Sequence, residues 1–277
     1  MKTGKNKKKR ILIEIIVVVV LLGLCVWTWV PFTEHITLDL SEGDNETTRV
    51  VLITDLHSCY YGPNQNTLIK MVEKQNPDIV ILSGDIFDDE LKEENAEITV
   101  KRLAEKYPCC YVTGNHEFWS NHVDEIKTYV RNAGAVVLEG DCETIEIRSR
   151  KIDICGVDDP TRLTRDEWTK QLKEAYSECE ESHIKILASH RPERVSIYEQ
   201  FGFDLILSGH AHGGQIRIPF LNRGVFAPNQ GSLPKYVSGA YKLKNGSTMV
   251  VSRGLAREST PLPRFFNHPE IVVIDIR

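Results

Sequence analysis

Five short stretches of this chain place acidic, amide and imidazole side chains at close spacing. They read Asp55-Leu56-His57, Gly84-Asp85-Ile86-Phe87-Asp88, Gly114-Asn115-His116-Glu117, His190 within "ASHRPE", and Gly209-His210-Ala211-His212. Nitrogen and oxygen donors of this kind hold divalent metal ions, and a His-x-His pair offers two imidazoles from one loop. Each stretch alone has a plainer reading. Asp-x-His is common in surface turns, Gly-Asp can cap a helix, Gly-Asn marks turns, and a single histidine can sit satisfied in a core. Together they say more, because each follows an apolar run that reads as a buried strand, and ligands of open α/β sheets bind at the carboxyl ends of strands. Five of the nine histidines of the chain fall in these loops.

The elements that must position them follow from periodicity. Buried strands are expected at 49–54, 78–83, 109–113, 183–189 and 203–208. Amphipathic helices are expected at 66–76, stopped by Pro77, at 95–107, stopped by Pro108, at 122–134 with Gly134 as C-cap, and at 166–179, with a short helix near "PERVSIYEQF". "TIEIRS" and "KIDICGV" alternate as strands, and beyond residue 214 the pattern turns mostly β, in "QIRIP", "YVSGAYKL", "TMVVS" and "EIVVIDI". Strands alternating with helices predict an α/β fold, and the strand-rich middle and end predict a second sheet packed on the first. No Gly/Ser/Pro-rich linker divides residues 49–277, which predicts one domain there.

The beginning of the chain is different in kind. Lys2, Lys5, Lys7, Lys8, Lys9 and Arg10 form a basic tail over residues 1–10, followed by "ILIEIIVVVVLLGLCVWTWV" at 11–30. Twenty helical residues span about 30 Å, the thickness of a bilayer core. Glu14, in the first turn, is the one charge, and Trp27 and Trp29 stand where aromatic belts form. The segment predicts an uncleaved single-pass anchor, since "VWTWVPFT" lacks the small residues of a signal-peptidase site. With the basic flank cytoplasmic, the catalytic domain is expected at the cell membrane on the extracytoplasmic side. Residues 31–48 read as a polar linker, solvated over 41–48.

Of 34 basic and 39 acidic residues in the chain, those beyond residue 30 number 28 and 38, a net charge of −10. A domain this acidic lacks the basic face of non-specific nucleic-acid binding, so no nucleic-acid partner is expected. The seven cysteines match no zinc-site spacing, and no disulfide can be paired from the sequence. They are expected as buried thiols, with Cys109 and Cys110 on opposite faces of one strand.

The ordered set Asp-x-His, Gly-Asp-x-x-Asp, Gly-Asn-His-Glu, His, Gly-His-x-His resembles the calcineurin-like metallophosphoesterases. "ASHRPE" and "SRGLAREST…RFFNHPEI" resemble their bacterial membrane-associated branch, so the likeness covers most of residues 49–277. The resemblance implies a four-layer α/β/β/α sandwich of two mixed sheets, preceded here by the transmembrane helix. It implies two divalent ions, manganese, iron or zinc, one on Asp55, His57, Asp85 and His212, the other on Asp85, Asn115, His190 and His210. Asp85 would bridge, His116 would sit near the scissile phosphate, and Asp88 would orient its ring. A metal-activated hydroxide would then attack a phosphodiester, phosphomonoester or pyrophosphate. The chain departs from the pattern at Ser58-Cys59, where an apolar residue and glycine are expected, and at Ala256, where glycine is usual.

Two rivals stand beside this reading. Metallo-β-lactamase-like enzymes also use His-x-His, but with an aspartate two residues on, where this chain has Gly214. A membrane-tethered binding module keeping the fold without catalysis is the alternative; it predicts lost ligands, and none is lost. Because the anchor holds the site near a membrane, a lipid-linked phosphoester is among the expected substrates.

Overall fold

The computed structural model describes residues 10–16, 18–19, 23, 28–40, 46–218, 221, 223–259 and 262–277. Its apolar runs become strands covered on both faces, which is why they read as continuous rather than alternating hydrophobic stretches. The first sheet holds β1 (Phe32–Leu38), β2 (Thr48–Ile53), β3 (Ile79–Ser83), β4 (Cys109–Val112), β5 (Val136–Val137) and, numbered in chain order, β16 (Glu270–Ile276). Its order is β1-β16-β2-β3-β4-β5, parallel except where β16 meets β2. The second holds β6 (Asp141–Ile147), β7 (Arg150–Gly156), β8 (Ile184–Ala188), β9 (Leu205–Ser208), β14 (Gly239–Lys242) and β15 (Thr248–Val251), in the order β14-β15-β9-β8-β7-β6 with antiparallel pairs at both edges.

Alternation along each strand divides its side chains between two cores. Val50 and Leu52 of β2 and Ile79 and Ile81 of β3 meet Ile152, Ile154, Ile186 and Leu207 of the second sheet. Val51, Ile53, Val80 and Leu82 point the other way, onto α1 (Asn66–Glu73), α2 (Glu94–Ala104) and, beyond the short α3 (Asn115–Trp119), α4 (Val123–Asn132). The outer face of the second sheet, with Leu187, Ile206 and Val251, is covered by α5 (Arg165–Ser177) and α6 (Val195–Tyr198), through Trp168, Leu172 and Ile197. The result is helix, sheet, sheet, helix. Each fully buried aliphatic side chain contributes about 1.5–3 kcal/mol, so the register that keeps these faces apart is strongly specified. Cys109 and Cys110 fall in different cores, as alternation requires.

The expected linker at 31–48 needs correcting. Phe32–Leu38 is an edge strand, running parallel to β16 and continued by Leu40 N–H donating to the Arg277 carbonyl at 2.8 Å. It is half exposed, so its polar residues made it read as a connection, and its partner strand lies at the other end of the chain. Within 41–48, residues 41–45 lie outside the described residues. Part of the expected anchor at 11–30, residues 17, 20–22 and 24–27, lies outside them too. Among the described residues no helix is long and apolar enough to cross a membrane.

Candidate active site

Four of the five sequence stretches sit directly beyond the carboxyl ends of β2, β3, β8 and β9, and Asn115 and His116 follow β4 on α3. The backbone is bent sharply to bring them inward. Asp55, His57, Asp85, His210 and His212 all have positive φ, between 45° and 61°. That region costs a non-glycine residue about 1–3 kcal/mol, and such strain collects where structure over-determines geometry for function. Two glycines make the close approach feasible. A Cβ on Gly84, itself at φ 82°, would come 2.5 Å from the His190 ring, and one on Gly114 would overlap Asp85 Oδ1.

The gathered side chains form two overlapping groups. One ligand atom each from Asp55, His57, Asp85 and His212 lie within 4.8 Å of one another, as do those from Asp85, His190 and His210. Asp85 belongs to both. Its Oδ2 is 3.0 Å from His190 Nε2 and 3.6 Å from His57 Nε2. Asp55 Oδ1 is 3.3 Å from His212 Nε2, and the same oxygen accepts the His210 backbone N–H at 2.9 Å. Hydrogen bonds aim the rings: His190 Nδ1 meets the Ser83 carbonyl at 3.0 Å and His57 Nδ1 meets Asp88 Oδ2 at 2.9 Å, leaving each Nε2 to the cluster. Asn115 Oδ1 is buried with no hydrogen-bond partner, and His190 Nε2 faces only the Asp85 carboxylate. A buried orphan of this kind is rare unless an ion completes it, so these residues fit a dinuclear metal site.

The electrostatics follow from this crowding of charge. Burial works against charge on Asp55 and Asp85, yet His212 and His190 respectively hold their carboxyls below the ordinary range. Burial, then the neighbouring Arg191 charge, pushes His210 down to about 3, which keeps that ring neutral.

The expected role of Asp88 needs correcting. It stands 3.5 Å from His116 Nδ1, beyond hydrogen-bond reach, and is bonded to His57 instead. Asp89 Oδ1, at 2.5 Å, is the group that meets His116 Nδ1. The His57 and His116 rings pack edge to face with centroids 4.2 Å apart, so the two neighbouring carboxylates each take one ring.

Three further groups escaped sequence reasoning. Glu117, quoted within its motif but given no role, accepts the N–H groups of Gly114, Asp85, Ile86 and Phe87 at 2.7–3.1 Å. It ties the Asp85 loop to the Asn115 loop. Arg191, beside His190 in the sequence, is buried, paired with Asp159 through two nitrogens, and places Nη1 2.7 Å from His210 Nε2. Asn229 Oδ1 is 2.6 Å from the same Arg191 nitrogen and 2.8 Å from His210 Nε2; no sequence signal marked it. The departures at Ser58-Cys59 are structural: Ser58 Oγ accepts the Asp88 N–H at 3.3 Å and Cys59 Sγ lies 3.6 Å from Ser259 Oγ.

A cavity of about 530 Å³ opens over the cluster. His57, Asp85, Asn115, His116, His210 and His212 form its floor, and its walls include Trp119, Ile216, Val225, Phe226, Pro228 and Leu262. The latter come largely from a segment of small hairpins, β10 (Arg217–Ile218) with β11 (Arg223–Gly224) and β12 (Phe226–Ala227) with β13 (Gly231–Ser232).

An α/β sandwich whose strand ends gather Asp and His around one shared carboxylate has the plan of a hydrolase that works through bound metal. The family profile for calcineurin-like phosphoesterase matches residues 48–214, and the chain belongs to that family. An uncharacterized metallophosphoesterase of Campylobacter jejuni is 30% identical over 235 residues, covering 83% of this chain and 59% of that protein. The Escherichia coli phosphodiesterase YaeI is 28% identical over 199 residues, covering 69% of each. Thus the chain matches over less than two thirds of the length of the Campylobacter relative. Among solved structures, GAP50, the anchor in the inner membrane complex of Plasmodium, shares the fold with a TM-score of 0.51 at 12% identity, over 82% of this chain and 80% of that one.

Proposed function

We propose that this protein is a membrane-anchored phosphoesterase that uses two divalent ions, manganese, iron or zinc, to hydrolyse a phosphodiester, phosphomonoester or pyrophosphate carrying an apolar, lipid-like group. The observation that carries the reading is the pair of ligand groups sharing Asp85 on the floor of an open cavity. Asp55, His57, Asp85 and His212 would hold one ion, and Asp85, Asn115, His190 and His210 the other. Divalent ions held there supply Lewis-acid charge and acidify water. His116, on the cavity floor and held by Asp89, is placed to donate a hydrogen bond to a phosphoryl oxygen and a proton to the leaving oxygen. Arg191 adds a buried positive charge beside His210, which favours an anionic substrate in an otherwise acidic domain.

The apolar walls support a substrate with a hydrophobic portion next to its phosphate. The run of residues at 11–30 supports anchoring, with the basic tail cytoplasmic and the domain extracytoplasmic. The end of that run packs against Arg257, Arg264 and His268. Thr28 Oγ1 donates to the Arg264 carbonyl at 3.1 Å, Arg257 packs over the Trp29 ring, and His268 Nδ1 meets the Val30 carbonyl at 3.0 Å. Ser259 and Leu262, in the same 253–268 segment, line the cavity. An anchor there would turn the opening toward the lipid surface. The test is hydrolysis, with added manganese, of phospholipids in detergent micelles against soluble nucleotides and a generic aryl phosphodiester. Preference for the micellar substrates is expected; preference for soluble nucleotides would sink the lipid reading, and inertness toward all of them would sink the enzyme.

A further inference from the structure

Three cysteine sulfurs meet on the outer side of the second sheet, away from the phosphoesterase cluster. Cys142 and Cys155 are directly opposed across the antiparallel β6–β7 pair, and Cys179 follows the last turn of α5. Cys155 is buried and in the middle; its Sγ lies 2.9 Å from Cys142 Sγ and 3.1 Å from Cys179 Sγ. Cys142 and Cys179 are half-buried, so solutes reach the pair that flanks it. The remaining described cysteines are dispersed: Cys109 and Cys110 lie in separate cores, and Cys59 faces Ser259.

The separations discriminate between two chemistries. Thiolates lie about 2.3 Å from a zinc ion, which sets neighbouring sulfurs roughly 3.7 Å apart in a tetrahedral site. Both contacts here are much shorter than that. A disulfide instead requires Cα atoms about 4.4–6.8 Å apart, and directly opposed residues of an antiparallel pair stand about 4.5–5.5 Å apart. Cys142 and Cys155 meet that requirement by register alone. Cys179 also has the character of an attacking group: the Cys142 and Cys155 thiols beside it lower its pKa, which favours its thiolate.

We propose that Cys142, Cys155 and Cys179 form a thiol-oxidation site in which Cys155 is the shared partner of two alternative disulfides, Cys142–Cys155 and Cys155–Cys179. A small disulfide such as oxidised glutathione is the oxidant. Cys155 and one neighbour together give up two protons and two electrons, and the small disulfide is cleaved to two thiols. The two protein disulfides then interconvert without further oxidation. The Cys179 thiolate attacks Cys155 Sγ, the Cys155–Cys179 bond forms as the Cys142–Cys155 bond breaks, and Cys142 leaves as a thiolate. Either bond braces β7, which continues into Asp159, the partner of Arg191. The Cys155–Cys179 bond also ties β7 to the end of α5.

The test uses the full-length protein in detergent, equilibrated in glutathione redox buffers, quenched in acid, alkylated under denaturing conditions and mapped by peptide mass spectrometry. Oxidised wild type is expected to lose the mass of two hydrogens, with Cys155 linked to Cys142 or Cys179 and the third sulfur alkylated. Cys142→Ser should retain only the Cys155–Cys179 link, and Cys179→Ser only the Cys142–Cys155 link. Wild type alone decides the matter should either variant fail to fold. Alkylation of all three sulfurs across the whole buffer range, or a link that omits Cys155, would overturn the proposal. So would native mass spectrometry showing one zinc fewer in Cys155→Ser than in wild type.

Discussion

His57 Nε2 lies 3.3 Å from His212 Nε2, although 155 residues separate them in the chain. His57 Nδ1 meets Asp88, which turns its Nε2 toward the second ring. Asp55 and Asp85 stand on either side, 3.3 Å from His212 Nε2 and 3.6 Å from His57 Nε2. Lone pairs and carboxylates at this spacing repel unless positive charge stands among them. Elemental analysis of protein loaded with manganese or zinc should therefore find two ions per chain. Asp85→Ala should lose both, because both groups share that carboxylate, whereas His212→Ala should lose one. Equal loss from the two variants would remove Asp85 from its bridging place.

Metal uptake should release protons. Burial opposes charge on His190, but the Asp85 carboxylate outweighs it and raises the ring to about 10, so the metal-free protein carries a proton there at neutral pH. A ligand must be unprotonated, so affinity for the ion should rise with pH. Calorimetry in buffers of different ionisation heat should show proton release near pH 7, reduced in His190→Ala. The same shift fixes a sign for stability. A raised histidine stabilises the metal-free fold fully below its ordinary value of 6.5, and that contribution is lost as pH climbs through about 10. Melting curves of chelated protein across that window check it.

The two neighbouring carboxylates should separate in their effects. Asp88 holds His57, a candidate metal ligand, so Asp88→Asn should weaken metal binding by about 10–100-fold, as loss of a ligand's supporting hydrogen bond does. Asp89 holds His116, so Asp89→Asn should lower kcat with metal content intact. His116→Ala should lower kcat by about 10²–10⁴-fold, the range of a lost general acid. Metal titration beside steady-state kinetics distinguishes them, and a drop in kcat at full metal occupancy for Asp88→Asn but not Asp89→Asn would restore Asp88 to the role the motif implied.

Glu117 should matter more to the fold than to the chemistry. Burial, then the Asp85 charge, raises its carboxyl to about 7, and four backbone N–H groups converge on it. Glu117→Ala would strand those donors inside the protein, each at about 1–3 kcal/mol, so the loss of stability should exceed about 3 kcal/mol. Denaturant unfolding of the metal-free protein reads this directly.

Much of this was legible in the sequence because both sheets are covered on both faces. β2, β3, β4, β8 and β9 had to be near-continuous apolar runs, and the residue after each run had to be a site candidate. What stayed hidden depends on contacts between distant segments. The edge strand Phe32–Leu38 shows only weak alternation and is defined by β16. Asn229 sits among short hairpins without periodicity and gains meaning from His210 and Arg191. Asp88 and Asp89 are adjacent acids in a single loop, and sequence cannot say which ring each one meets. The cysteine cluster likewise depends on β6–β7 register and the place where α5 ends.

The cavity walls offer a test of substrate class independent of the metal centre. Trp119 packs 4.8 Å from the His116 ring and is half exposed, and Phe226, also exposed, faces the same cavity. Neither is a candidate ligand. If an acyl chain lies along this wall, truncating either aromatic removes apolar contact worth about 1.5–3 kcal/mol, or roughly 10–100-fold in binding. Trp119→Ala and Phe226→Ala should then raise KM for a micellar lipid phosphoester by about that factor, while kcat/KM for a small aryl phosphodiester stays near wild type. Lengthening the acyl chain in steps should lower KM in the wild type, and less so in the variants. Equal losses on the small and the lipid substrate would mean that the wall serves to place His116 rather than to hold a lipid.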